Sequence, residues 1–365
     1  MSAPQNSSAP QIVAPLKAHV IDGEALAAWL APHLPEAAQG LHIGQFQGGM
    51  SNPTYLLTTP TRRRLVLRKK PPGILLPRAH AVDREYRVMR ALGPTEVPVP
   101  EMIAYCDDPE VIGAEFFIMD YVEGRIIPDP AMGPVARADR PALAFALIDT
   151  LAALHLVDWR AAGLEGFGRP ENYLGRQTTR WAAQYESAKP DLPDDFDYSD
   201  MDWLRDWLGE HADVSDDASI VHGDYRLGNT VVDAAAPRVA AVLDWELSTI
   251  GHPLGDLAYT CLPYRLPQGI AGRIDPAADA LPREEEIIAC YCTRTGRDGI
   301  PEWPVFLAFA CFRYAAIVQG VAARAAKGNA SSASADPQRD GARARAVARI
   351  GADIARRMDR HKTEM

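Results

Sequence analysis

Three polar side chains in the second half of the sequence stand next to short apolar, strand-like runs. Asp224 comes first, Asn229 follows five positions later, and Asp244 lies a further fifteen positions on. Transfer of a phosphoryl group from ATP to a hydroxyl uses groups of these kinds. One carboxylate orients the hydroxyl and accepts its proton, while a carboxylate and a carboxamide hold Mg²⁺. The spacing therefore predicts Asp224 as the catalytic base and Asn229 and Asp244 as magnesium ligands.

The turn His222-Gly223-Asp224 is weak evidence when taken alone, because an Asp that caps a turn would produce the same triplet. The order of base, amide and second carboxylate strengthens the catalytic interpretation of Asp224, since the protein-kinase catalytic loop has the same order. Glu246 is either a further metal or substrate contact or the first acidic residue of a helix. Asp256 is expected to cap a helix and to brace the catalytic loop.

A strand over residues 65–67 ends at Arg68, and Glu85 follows seventeen positions later in a helix predicted over residues 80–92. Arg68 is the candidate cation for the nucleotide phosphates, and Glu85 is the acid that would hold it in place. Strand alternation puts Arg68 and Lys69 on opposite faces. Both faces are apolar, so alternation alone leaves Lys69 open as the phosphate ligand.

A turn of small residues lies between two predicted strands of the first domain. Its residues Gly48, Gly49 and Ser51 would let backbone N–H groups approach the phosphates. A plain hairpin turn is the alternative. The neighbouring cations are expected to form a solvated face. They are Arg62, Arg63, Arg64, Lys69 and Lys70.

Met119, Asp120 and Val122 end a buried strand where the chain changes character. They are predicted to contact the adenine edge of a nucleotide. The alternative is an ordinary connector between two domains, which would have the same sequence pattern. In the helical region that follows, Arg176 and Arg180 lie one turn apart. They are candidates for binding an acidic group on the acceptor, although helical arginines are often only exposed or paired.

The pattern of strands and helices predicts an α+β chain with a tail and two lobes. The predicted divisions are a disordered tail over residues 1–20, a β-rich N-lobe over residues 21–122 and a mainly helical C-lobe over residues 123–365.

Composition narrows the possible partners of the 365-residue chain. Its net charge of −10 argues against general binding to nucleic acid or to anionic membranes. The sequence has no run of about 18 apolar residues of the kind that spans a membrane. Five scattered cysteines indicate reduced thiols rather than a disulfide framework, which predicts a cytoplasmic protein.

Seven segments together resemble the aminoglycoside phosphotransferase and choline-kinase-like superfamily over residues 40–320. They are GGMSNPTYLL, LVLRKKPPGILL, AHAVDREYRVMRAL, MDYVEGRI, RQTTRW, HGDYRLGN and VLDWELSTIGHPLGDLAY. The narrower resemblance is to the kinase-like domain that precedes an acyl-CoA dehydrogenase domain in some animal proteins, and to its stand-alone bacterial relatives. His252 departs from the Asp that this resemblance leads us to expect.

The resemblance implies a bilobal protein-kinase-like fold, with ATP and Mg²⁺ as cofactors and ATP between the lobes. It also implies a small-molecule hydroxyl as acceptor, on a hydroxy acid or hydroxyacyl-CoA, and a functional link to an acyl-CoA dehydrogenase. The rivals are an aminoglycoside kinase, a nucleotide-binding regulatory pseudokinase and a metal-dependent hydrolase. The intact set of Asp224, Asn229 and Asp244 counts against a pseudokinase, and His222 as the single nearby histidine counts against the hydrolase.

Overall fold

The computed structural model describes residues 12–13, 20–47, 52–71, 81–192, 196–215, 217–327 and 335–364. They form two compact units. The first contains the described residues up to Pro128 together with Arg160–Leu164 and Leu227–Ser248, and the second contains the rest.

The secondary-structure elements are numbered in chain order. The strands are β1 (Ile12–Val13), β2 (His42–Phe46), β3 (Thr54–Thr58), β4 (Arg64–Lys69), β5 (Met102–Cys106), β6 (Phe116–Asp120), β7 (Ser219–Val221), β8 (Thr230–Val232), β9 (Val239–Val242) and β10 (Thr249–Gly251). The α-helices are α1 (Gly23–Leu30), α2 (Val82–Leu92), α3 (Pro109–Ile112), α4 (Arg140–Leu156), α5 (Tyr173–Ala188), α6 (Ser199–His211), α7 (Leu254–Cys261), α8 (Pro276–Asp279), α9 (Glu284–Thr295), α10 (Trp303–Ala326) and α11 (Pro337–Glu364).

The first unit is built on an antiparallel sheet with the strand order β1-β2-β3-β4-β6-β5. On β4, Leu65 and Leu67 are fully buried in a core that also contains Leu26 of α1. Val66 and Arg68 alternate to the opposite face, where they line a cavity. Full burial of each leucine contributes about 1.5–3 kcal/mol, which fixes the register of this strand and therefore the side on which Arg68 lies.

The prediction that Lys69 belongs to a solvated basic face is wrong. Its side chain lies on the packed side of β4, is 8% exposed, and donates from Nζ to the carbonyl oxygen of Ile112 at 2.6 Å. Burial lowers the pKa of Lys69 below its ordinary value. Arg63 is also engaged, because it binds the Asp120 carboxylate through Nε and Nη2 at 2.9–3.1 Å. Both cations are therefore part of the structure of the sheet.

The predicted disordered tail contains one ordered piece. Ile12 and Val13 form β1, which pairs with Phe46 and Gln45 at the edge of β2. An edge strand presents unpaired backbone groups, and a short apolar segment can satisfy them.

The hairpin of β8 and β9 belongs to the first unit, although the predicted N-lobe ended at residue 122. Arg125 and Val232 exchange backbone hydrogen bonds at 2.8 Å, and Val242 donates to the carbonyl oxygen of Pro98 at 2.8 Å. Gly124 permits this approach, because a Cβ there would lie 2.4 Å from the Val232 oxygen. These contacts are long-range in sequence, so composition and local pattern did not predict them.

The second unit is mainly helical, with a two-stranded sheet of β7 and β10. Val221 at the end of β7 pairs with Thr249 at the start of β10, and the turn that contains Asp224 follows directly. Within the described residues, α10 is the one helix long and apolar enough to cross a membrane, with a mean hydropathy of 1.7 over its best window. That window is 83% buried in the protein, as is typical of a core helix.

Candidate functional site

In the first unit, β4 and α2 bring Arg68 and Glu85 together. Arg68 Nε donates to the Glu85 carboxylate at 3.1 Å, and Asn52 Nδ2 donates to the same group at 2.9 Å. Glu85 is 1% exposed. Burial raises the pKa of Glu85 to about 7. The positive charge of Arg68 opposes this rise, and the negative charges of Asp244 and Glu246 add to it. The predicted ion pair is thus present in the structure, and its action on a nucleotide remains a proposal.

Arg68 has a second carboxylate partner. Its Nη2 donates to Asp244 Oδ1 at 2.7 Å, while its side chain is 15% exposed. Burial alone would lower the pKa of Arg68, but Glu85 and Asp244 outweigh it and raise the pKa above its ordinary value. Sequence reasoning missed this contact and the role of Asn52. The contact of Asn52 with Glu85 could have been suspected, because Asn52 directly follows Gly48, Gly49 and Ser51 in the sequence, where a phosphate contact was predicted.

The hairpin of β8 and β9 places Asn229 and Asp244 at one end. Asn229 immediately precedes β8, and its carbonyl oxygen accepts from Leu243 N–H at 2.8 Å, next to Asp244. Asn229 is 6% exposed, whereas the Asp244 side chain is 35% exposed. A carboxylate and a carboxamide are hard oxygen donors that suit Mg²⁺, whose remaining positions are usually taken by water and phosphate. The donor set therefore fits magnesium, and the described residues contain no cluster of three or more His, Cys, Asp or Glu for another metal.

A cavity of about 300 Å³ lies beside Arg68. Its lining is mainly apolar, and Arg68, Glu85 and Asp244 form a charged end. The residues predicted to contact the adenine edge line this cavity: Met119, Asp120 and Val122. Because the Asp120 carboxylate is held by Arg63, a nucleotide contact there would use the backbone. Gly48, Gly49 and Ser51 lie outside the described residues.

In the second unit, Asp256 braces the turn that carries Asp224. The buried Asp256 carboxylate accepts from His222 N–H at 2.6 Å and from Gly223 N–H at 2.9 Å, and His155 Nε2 lies 3.4 Å away. Burial would raise the pKa of Asp256, but His155 and the N–H donors hold it below its ordinary value. The predicted bracing contact is present, but the predicted helix cap is wrong. Asp256 lies inside the first turn of α7, and its carboxylate binds the loop instead of the N-terminus of its own helix.

The Asp224 side chain is 22% exposed, and its Oδ2 lies 3.4 Å from Arg226 Nε. Its backbone N–H donates to His222 Nδ1 at 3.1 Å. Gly223 has a φ of +84°, a left-handed conformation that glycine adopts without strain. The turn thus presents a partly accessible carboxylate on a backbone held by hydrogen bonds.

Arg176 and Arg180 lie on α5. Arg176 donates to the carbonyl oxygen of Arg169, and the Arg180 guanidinium lies 5.6 Å from the ring centre of Trp181. Both arginines act electrostatically on buried Tyr173 and oppose the rise that burial imposes on the pKa of that hydroxyl. They form a basic region within the second unit, and their contact with an acceptor remains a proposal.

His252 occupies the position where the resemblance suggests Asp. It is 2% exposed, its Nδ1 accepts from Leu254 N–H at 3.2 Å, and its ring lies 4.4 Å from that of Phe306. Burial lowers the pKa of His252 to about 4. The residue is therefore a neutral core histidine that caps the start of α7.

Residues 42–289 match the phosphotransferase enzyme family. The chain belongs to this family. It is 42% identical over 328 residues to acyl-CoA dehydrogenase family member 11 of Pongo abelii, a match that covers 87% of this chain and 41% of that protein. The chain thus spans about two fifths of the length of the curated relatives that it matches.

Solved structures confirm the predicted fold. A Ralstonia eutropha protein, provisionally described as an aminoglycoside phosphotransferase, is 42% identical with a TM-score of 0.81, covering 93% of this chain and 99% of that chain. A mutant of the aminoglycoside phosphotransferase APH(4)-Ia, in ternary complex with AMP-PNP and hygromycin B, is 16% identical with a TM-score of 0.58, covering 90% and 98%. The latter likeness shows the fold alone. The predicted superfamily and its α+β kinase-like fold are confirmed.

Proposed function

We propose that this family member is an ATP- and Mg²⁺-dependent kinase that phosphorylates a hydroxyl of a small acid, either a hydroxy acid or a hydroxyacyl-CoA. The observation that carries the proposal is Arg68, which is bound to both Glu85 and Asp244 at the charged end of an apolar cavity. An apolar cavity suits a nucleobase, and a guanidinium suits phosphate oxygens. The AMP-PNP complex of APH(4)-Ia supports the choice of an adenine nucleotide.

Asp244 and Asn229 would hold the magnesium ion, which neutralises phosphate charge when bound. Arg68 would orient the phosphates. Glu85, which is itself bound by Asn52, fixes the direction of the Arg68 side chain. Asp224 would accept the proton of the acceptor hydroxyl as its oxygen forms the new bond to the γ-phosphorus. The bond from that phosphorus to the β–γ bridging oxygen breaks, and ADP leaves with the electron pair.

The basic region of the second unit supports an acidic acceptor. Arg176 and Arg180 lie on one helix, and Arg226 lies beside Asp224. An aminoglycoside is a polycation, and these arginine side chains favour an acidic acceptor over it. The name of the curated relatives supports a hydroxyacyl-CoA, because phosphorylation turns a hydroxyl into a leaving group for subsequent elimination. We further propose a cytoplasmic location, which the five free thiols support.

The test is a transfer assay with γ-labelled ATP and a panel of acceptors. The panel pairs each hydroxyacyl-CoA and free hydroxy acid with its deoxy analogue, and adds kanamycin and a neutral polyol. We expect label transfer that requires Mg²⁺ and the acceptor hydroxyl. Preferential transfer to kanamycin would overturn the acidic acceptor, and MgATP binding without transfer to any member would favour the pseudokinase.

A further inference from the structure

Arg313 of α10 is a buried cation in the second unit. Its side chain is 4% exposed, and Nη2 donates to the carbonyl oxygen of Gly223. Its guanidinium lies 4.5 Å from the ring centre of Tyr259 and 5.1 Å from that of Trp181. Within the described part of the chain, no carboxylate lies within 4.0 Å of it as an ion-pair partner.

A guanidinium in this environment is costly. Removing a charge from water is repaid only when a counter-charge and hydrogen bonds replace the solvent. Here a carbonyl oxygen and two aromatic faces replace it, and among the described groups Arg313 Nε has no hydrogen-bond partner. A buried charge with so few partners is better explained by the contact that it makes at the turn than by packing alone.

The contact falls on the peptide that carries Asp224. Asp256 accepts from the N–H groups of His222 and Gly223 at the start of the turn, whereas the Gly223 carbonyl belongs to the peptide joining Gly223 to Asp224. The left-handed Gly223 connects the two peptide planes. The Asp256 carboxylate therefore fixes the two peptide planes before the Gly223 Cα, and the Arg313 guanidinium fixes the plane after it. Without the hydrogen bond from Arg313, no hydrogen bond within the described residues would restrain the carbonyl side of the Gly223–Asp224 peptide.

Arg313 also lies close to the charge of Asp224. Burial raises the pKa of Tyr259 to about 12, with Asp224 adding to the rise while Arg313 and Arg226 oppose it. The Tyr259 ring thus lies within the field of all three charged groups.

We infer that Arg313 is a positioning residue for Asp224, acting through the Gly223 carbonyl. The inference rests on the proposed function for the role of Asp224 as base, but the restraint on the turn is a property of the chain itself. The contacts of Arg313 are with the turn and with two aromatic rings. Its removal should therefore lower kcat and leave MgATP affinity unchanged.

The test compares Arg313→Met with Gln319→Met, in the full chain. Gln319 lies on the same helix, is fully buried, and donates from Nε2 to the carbonyl oxygen of Tyr185 at 3.4 Å, away from the turn. Hydrogen exchange measured on peptides spanning residues 219–226 reports the turn without requiring any acceptor. We expect exchange there to be about tenfold faster or more in Arg313→Met, since a hydrogen bond to a charged group is lost. Gln319→Met should leave it unchanged.

Turnover and stability complete the test. We expect Arg313→Met to lower kcat by about tenfold or more, with unchanged MgATP affinity by calorimetry and a cooperative unfolding transition that stays well above the assay temperature. Arg313→Lys should recover part of kcat. Unchanged exchange in Arg313→Met, or a fall in stability matching the loss of kcat, would overturn the inference. Faster exchange in a chain with no phosphotransfer would leave the restraint established and refute the proposed function.

Discussion

Arg68 Nη2 donates to Asp244 Oδ1 at 2.7 Å, a hydrogen bond that joins residues 176 positions apart in the chain. Since Arg68 Nε also binds Glu85, one guanidinium links the proposed phosphate-binding pair to the proposed magnesium ligand. Removing one of these groups leaves the others with unbalanced charge in a poorly hydrated place. Variants at these positions are therefore expected to be coupled.

We expect Arg68→Ala and Glu85→Ala each to raise the KM for ATP by about tenfold or more. In the double variant, the increase in KM should be much smaller than the product of the two single increases. The reason is that Glu85 acts on phosphate only through Arg68. Steady-state kinetics of the four proteins complete the cycle. Lys69→Met is the matched control on the next residue.

Lys69→Met should leave the KM for ATP unchanged and lower the free energy of unfolding, because it removes the contact from Nζ to the Ile112 carbonyl. If Lys69→Met instead raised the KM while Arg68→Ala did not, the cation on β4 would have been misassigned, and its pairing with Glu85 would have no functional role.

Asp244→Ala is expected to abolish the Mg²⁺-dependent part of ATP binding, because the most accessible hard donor of the hairpin end is lost. Titration calorimetry with and without Mg²⁺ measures this directly. Asp233→Ala is the control, since Asp233 lies at the opposite end of the same hairpin and bonds Ala235 and Arg238. Equal MgATP affinity in wild type and Asp244→Ala would rule out Asp244 as a metal ligand.

Much of the first unit could be predicted because its signals are local. The period-two pattern of β4 placed Val66 and Arg68 on one face, and the helical spacing of α2 turned Glu85 inward. The bracing role of Asp256 was also expected, because a single acidic residue near the start of a helix follows the catalytic segment.

Contacts between distant segments could not be predicted in this way. Nothing in the sequence around Asp244 indicates Arg68 as its partner, and nothing in α10 marks Arg313 as a ligand of the Gly223 carbonyl. Lys69 shows a second limit. Alternation gave its face correctly, but the carbonyl that allows its burial belongs to α3, which begins 40 residues later.

Asp224→Asn should lower kcat by about a hundredfold or more with little change in MgATP affinity, since a positioned base contributes roughly 10²–10⁴. The substitution keeps the shape of the side chain and the backbone contact with His222. Single-turnover transfer to the best acceptor of the panel separates chemistry from product release. A variant with near-wild-type turnover would remove Asp224 from the role of base.

His252 should make stability depend on pH on the acid side. Its folded-state pKa of about 4 lies below its ordinary value of 6.5, so the unfolded chain binds a proton more readily. Its contribution is therefore fully present above pH 6.5 and is lost as the pH falls towards 4, with an amplitude on the order of 3 kcal/mol. His252→Asn keeps an acceptor for Leu254 N–H and does not titrate. Denaturant unfolding from pH 4 to 7 should show a shallower pH dependence in the variant, by this amount. Equal slopes in the two proteins would mean that His252 takes up its proton in the folded state without cost, and that burial against Phe306 does not hold it neutral.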